Sequence, residues 1–132
     1  MNALIHGHKG LAYLLCLAVM LCFVLALAGG RSKPAVAKVL DGINRFGVMM
    51  LGRLNLVIGI VLMIALETSV LNFWIIGSVL IWGAAEAARP RLIAPALAEV
   101  RGGGQAGAGL LVGVVVQLLA IVAIFGLMTL QP

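Results

Sequence analysis

Three long stretches of this chain carry no charged residue, and a fourth carries one. Gly10–Gly30, Thr68–Ala85 and the segment from Gly102 onward are uncharged, and Phe46–Leu66 holds only Arg53. A helical bilayer crossing needs about 20 mostly apolar residues. In hydrocarbon every backbone N–H and C=O must pair within the protein, which restricts spanning structures to helices and closed barrels. Barrel strands alternate polar and apolar residues, and these runs do not. The reading is an all-α integral membrane protein. It is a four-transmembrane-helix bundle forming a single membrane domain over residues 1–132, with spans at about 10–30, 46–66, 68–88 and 109–130.

Composition agrees. Hydrophobic residues are 64% of the chain and charged residues 10%, against about half and about a quarter in soluble domains. That argues against a water-soluble globule, a disordered tail and a nucleic-acid-binding module. The net charge of +5 sits between the apolar runs, as the positive-inside rule describes. Arg31, Lys33, Lys38 and Arg45 follow the first run; Arg89, Arg91 and Arg101 follow the third; the turn near Glu67–Asn72 has no Lys or Arg. Both basic loops are therefore expected in the cytoplasm and both termini outside, in the periplasm of a bacterial inner membrane. Lys9, Leu11–Leu25 and Ala26-Leu27-Ala28 also fit a signal peptide. Cleavage there would put four basic residues outside, so the first span is read as retained.

The basic loops read as short amphipathic surface helices. Val36, Val39, Leu40 and Ile43 share one face of the first, with Ser32 and Pro34 as start signals. Leu92, Ile93, Leu97 and Val100 supply the second, which Pro95 limits to a short piece and Gly102-Gly103-Gly104 ends. The order span, surface helix, span, turn, then the same again, is a loose repeat of two hairpins.

Lipid gives helices no hydrophobic reason to associate, so small residues and polar contacts must do it. Ala18, Cys22, Ala26 and Gly30 form a stripe at steps of four, and Gly109 and Gly113 open the last span at the same step. These are expected to be helix-packing positions inside the bundle. Cys16 and Cys22 lie about 9 Å apart along a helix, too far for a disulfide. Met20, Met49, Met50 and Met63 read as core filler. Phe73 and Trp74 suit the outer interface, with Tyr13 as an anchor on the same side, and Trp82 suits packing.

Four polar residues fall inside the spans at similar depth: Arg53, Asn55, Glu86 and Gln117. An intramembrane ionisable residue is a functional candidate by default, although arginine also snorkels to headgroups. These four are expected to form one polar cluster in the cytoplasmic half, with Arg53–Glu86 as its charged pair. Its role is interhelical bonding or a small cavity for a headgroup, a quinone or an anion. His6 and His8 precede the first span and supply half of a usual metal site, so no metal site is assigned to them. No Ser/His/Asp set and no phosphate loop occurs, and the reading is not an enzyme.

In outline the chain resembles small four-helix bacterial inner-membrane proteins of the SirB-like and copper-resistance-D-like, cytochrome-b-like group. The features that carry this are a histidine at the start of span one, a basic surface linker, Gly52-Arg53 in span two and a closing Met128…Pro132. The resemblance implies a four-helix membrane fold and, for some members, haem or copper handling. The later spans of this chain have no histidine, so no cofactor is expected and no haem or copper ligand is carried over. The expected function is a non-catalytic accessory or scaffold subunit of a larger inner-membrane complex, respiratory or photosynthetic. Its partners would be membrane lipids and other membrane subunits or further copies, with no nucleic acid. The alternatives are a small redox, metal- or haem-handling protein using His6 and His8, and a small oligomeric transporter using Arg53, Glu86 and Gln117.

Overall fold

The computed structural model describes residues 2–67 and 72–129. It is almost wholly helical, with no strand among the described residues. The helices are α1 (Asn2–Leu25), α2 (Pro34–Gly42), α3 (Leu51–Ala65), α4 (Phe73–Ala88), α5 (Ala94–Arg101) and α6 (Ala108–Thr129). Among the described residues, three continuous helical stretches are long and apolar enough to cross a membrane: Ala3–Gly30, Pro34–Ala65 and Ala108–Met128. α4 has 16 residues, about 24 Å of helix.

α1 starts at Asn2, so His6 and His8 are helical residues, continuous with the first apolar run. The two basic loops do form helices, but neither stands apart from its neighbour. α2 runs into α3 through a π-helical segment, Ile43–Met50. α4 runs into α5 through another, Arg89–Ile93. Pro90 and Pro95 lack the N–H that an α-helix would direct at the carbonyl four residues back. The helix widens between them, with Ala94 N–H donating to Arg89 O, and so passes both prolines without ending. Pro95 therefore does not confine the second basic segment to an isolated piece.

The chain breaks elsewhere, at two glycines with positive φ. Gly29 (φ +124°) ends the first helical stretch and Gly103 (φ +95°) follows α5. Only glycine takes such angles without steric cost. Lys33 N–H and Ser32 N–H both donate to Gly29 O, at 2.8 and 3.1 Å, and α2 then begins at Pro34. The N-cap position is Lys33, which makes no side-chain cap, and Pro34 follows it as the start signal. The two breaks are tied together, since Ala106 N–H donates to Arg31 O at 2.8 Å. The chain order is thus helix, break, long helix, turn, long helix, break, helix. This is a mirror-like order, in place of the direct repeat expected from the sequence.

α1 packs on α3 and α6, and α6 packs on α4. α3 and α4 do not pack along their lengths, so the bundle is open on that side. α2 and α5 lie against each other beneath it. Ala37, Leu40, Val48, Ile93, Leu97 and Val100 are buried there, while Val39 is exposed. The face of α2 that matters is Ala37–Leu40–Asn44–Val48, one step round from the face expected.

The small-residue stripe points inward as expected. Ala18, Cys22, Ala26 and Gly30 are all buried. A Cβ on Gly47 would lie 3.2 Å from Ala18 Cβ, so the backbone approaches closely there. Gly113 is buried and Gly109 half-buried, both against Leu92–Ile93. Met49 is buried, but Met20 and Met50 lie on outer faces and are not core filler. Tyr13 stacks on Phe125 of α6 at 6.2 Å between ring centroids. Trp82 is buried against Gly52. Both cysteines are free. The side chains of Phe73 and Trp74, most of the Glu67–Asn72 turn and the end of the Met128…Pro132 motif lie outside the described residues.

Candidate functional site

The expected single cluster of four polar residues divides into three. Arg53 and Glu86 meet as expected, with Arg53 Nε donating to Glu86 Oε1 at 2.9 Å. Gln117 is not with them. It lies fully buried in the middle of the bundle and accepts a 2.6 Å hydrogen bond from Asn44 Nδ2. Asn55 turns toward α1, on the side where Gly59 meets His8. The reason is angular. On a helix, positions two apart do not share a face, so Arg53 and Asn55 cannot both reach α4. Depth alone had grouped them.

The central polar group is built on Asn44, which the sequence reading passed over. Asn44 sits in the π-helical segment between α2 and α3 and is fully buried. Its amide donates to Gln117 Oε1 and lies 3.7 Å from Cys22 Sγ. Its Oδ1 accepts from Arg89 Nη1 at 3.0 Å. Arg89 Nη2 donates to Asp41 Oδ1 at 2.6 Å, and Arg101 Nη1 approaches Asp41 Oδ2 at 3.5 Å. Gln117 Nε2 closes the far end on Ala85 O at 3.3 Å. One connected network therefore touches α1, α2, α4, α5, α6 and the π-helical segments Ile43–Met50 and Arg89–Ile93. Arg89 and Asp41 are largely buried, with side chains 15% and 18% exposed. A buried amide or guanidinium left unpaired is costly, and each of these groups has its partner.

The outer pair differs. The Arg53 side chain is 67% exposed and that of Glu86 33%. They stand at the open α3–α4 side, beside a cleft of about 540 Å³ that Arg89 also borders. A Cβ on Gly52 would fall 1.9 Å from the Trp82 ring, so Gly52 is what lets Trp82 reach α3 at this one level.

His6 and His8 do not form a chelating pair. On α1 they are about 200° apart around the axis. His6 is exposed and His8 packs beside Gly59. The described residues contain no group of three His, Cys, Asp or Glu arranged to hold a metal ion. His8 Nδ1, Asn55 Oδ1 and Trp82 Nε1 are buried without a hydrogen-bond partner among the described residues.

Compared with protein-family models, curated proteins and solved structures, the chain has no match.

Proposed function

We propose that this chain is a non-catalytic accessory or scaffold subunit of a larger bacterial inner-membrane complex, with respiratory and photosynthetic assemblies as the first hosts to examine. The observation that carries this reading is the use made of the interior polar groups. Asn44, Arg89, Asp41 and Gln117 bond one another across helices. That is how polar side chains hold a membrane bundle together, and it leaves none of these four free for chemistry. The outward faces are meanwhile apolar: Leu17 on α1, Ile64 on α3, Leu80 on α4 and Leu119 on α6 are more than half exposed.

The topology that accompanies this reading has four spans, with α4 as the third. Its packing along α6 supports this, as do Ile76, Val79 and Leu80 on its outer side. The basic segments lie in the cytoplasm with α2 and α5 at the inner boundary, and both termini are periplasmic. Cysteines introduced at Lys38 and Glu99 should then react with impermeant maleimide only after the inner membrane is opened. Labelling from intact cells would reverse the orientation.

Gentle extraction from native membranes followed by native mass spectrometry tests the role. Stoichiometric co-purification with larger membrane subunits is expected. A lone chain or homo-oligomer under the same conditions would remove the reading.

A further inference from the structure

The cleft on the open α3–α4 side combines three features. First, it has a cationic surplus. Arg53 and Arg89 face Glu86 at its rim. Arg89 is already paired with Asp41, which Arg101 also approaches. Three arginines against two carboxylates leave one positive charge.

Second, that charge is not fully satisfied. Arg53 gives Nε to Glu86, and its two Nη groups make no hydrogen bond among the described residues. Yet Arg53 lies inside the Pro34–Ala65 helix, thirteen positions before Leu66, or about 20 Å along the axis. A guanidinium two-thirds exposed there snorkels to the headgroup layer, where its remaining N–H donors meet anionic groups. Third, the rest of the wall is apolar, and Gly83, Ala87, Pro90 and Ala94 are short enough to leave space beside the charges. A Cβ on Gly83 would meet nothing within 4 Å.

We infer that this cleft binds the phosphate of an anionic phospholipid, with Arg53 as the principal donor and the acyl chains along the unpacked α3–α4 side. Arginine pairs with phosphate oxygens through two parallel N–H donors, and the Nη groups of Arg53 are the ones available. Basic pockets between membrane helices near the cytoplasmic face take such headgroups, and the level of this cleft rests on the topology proposed above. The apolar wall and the open side favour a lipid over a free anion. The inference does not depend on the accessory-subunit reading, because a lone chain would carry the same cleft.

The test is native mass spectrometry of the full chain in a non-ionic detergent. It is titrated with phosphatidylglycerol, with phosphatidylcholine of the same acyl chains, and with inorganic phosphate. Phosphatidylglycerol should be retained about fivefold better than phosphatidylcholine, the worth of one basic residue at a charged membrane surface. Arg53→Gln should bring the two lipids level. Gly83→Leu fills the cleft without touching a charge and should do the same, so the inference stays testable if Arg53→Gln folds poorly by circular dichroism. Equal retention of the two lipids by the unmodified chain would overturn it. So would a preference that survives Gly83→Leu, inorganic phosphate displacing the lipid, or a co-purified protein helix occupying the cleft in its place.

Discussion

Asn44 donates to Gln117 at 2.6 Å across 73 residues of sequence, and Arg89 holds the other end of the same amide. One small side chain thereby links the middle of the chain to its last helix and to the junction of α4 with α5. Removing it leaves two buried polar partners unmatched. Asn44→Ala should lower stability by about 1–2 kcal/mol, read as a lower unfolding midpoint in detergent. In a cycle with Gln117→Ala the coupling should be about 1 kcal/mol, and additive losses would show that the hydrogen bond contributes nothing net.

The Arg89–Asp41 pair is the more costly one to break. Both side chains are less than one-fifth exposed, and removing one partner of such a pair leaves a desolvated charge. Asp41→Asn should destabilise by about 2–3 kcal/mol, slightly below the range for fully buried pairs. The exchanged double variant Asp41→Arg/Arg89→Asp should recover part of that loss. No recovery would mean that Arg89 is held by Asn44 rather than by Asp41.

Glu86→Gln separates lipid binding from stability. The Arg53–Glu86 pair is exposed on the Arg53 side, and such pairs contribute about 0–1 kcal/mol. The unfolding midpoint should barely move. Freed from its carboxylate, Arg53 should retain phosphatidylglycerol more strongly in the same mass-spectrometric titration. Weaker retention would make Glu86 a positioning residue for the guanidinium.

Two glycines on facing helices should respond oppositely to alanine. At Gly52 the new methyl would collide with the Trp82 ring, and overpacking of this kind costs about 1–3 kcal/mol. The loss should come with a shift in tryptophan fluorescence. At Gly83 there is open space, and alanine should stabilise α4 by up to about 1 kcal/mol through helix propensity. If Gly52→Ala were as mild as Gly83→Ala, Trp82 would not be packed on Gly52.

Local pattern made part of this legible. The uncharged runs located the helices, the steps of four located Ala18, Cys22 and Ala26, and common depth paired Arg53 with Glu86. What escaped was phase across a junction. Ala37, Leu40, Asn44 and Val48 form a continuous buried stripe, but it crosses from a basic, loop-like segment into an apolar span. Reading the two as separate elements put Asn44 in a linker. The π-helical segments complicate this further, because each changes the angular relation between the helices it joins. Pro95 suggested a stop, and its spacing from Pro90 instead suits one widened turn. The expected grouping of Asn55 and Gln117 with Arg53 failed because depth fixes level along a helix and says nothing about direction around it.

The tie between Arg31 and Ala106 has a consequence for biosynthesis. Residue 106 leaves the ribosome long after residue 31 has entered the bilayer, and Gln117 follows later still. Through most of translation Asn44 and the carbonyl of Arg31 have no final partner, and water, headgroups or the insertion machinery must serve them meanwhile. The last helix acts as a keystone. A ribosome that stalls before α6 would release a chain with its earlier apolar helices made and its central polar group unfinished, a ready substrate for membrane quality control.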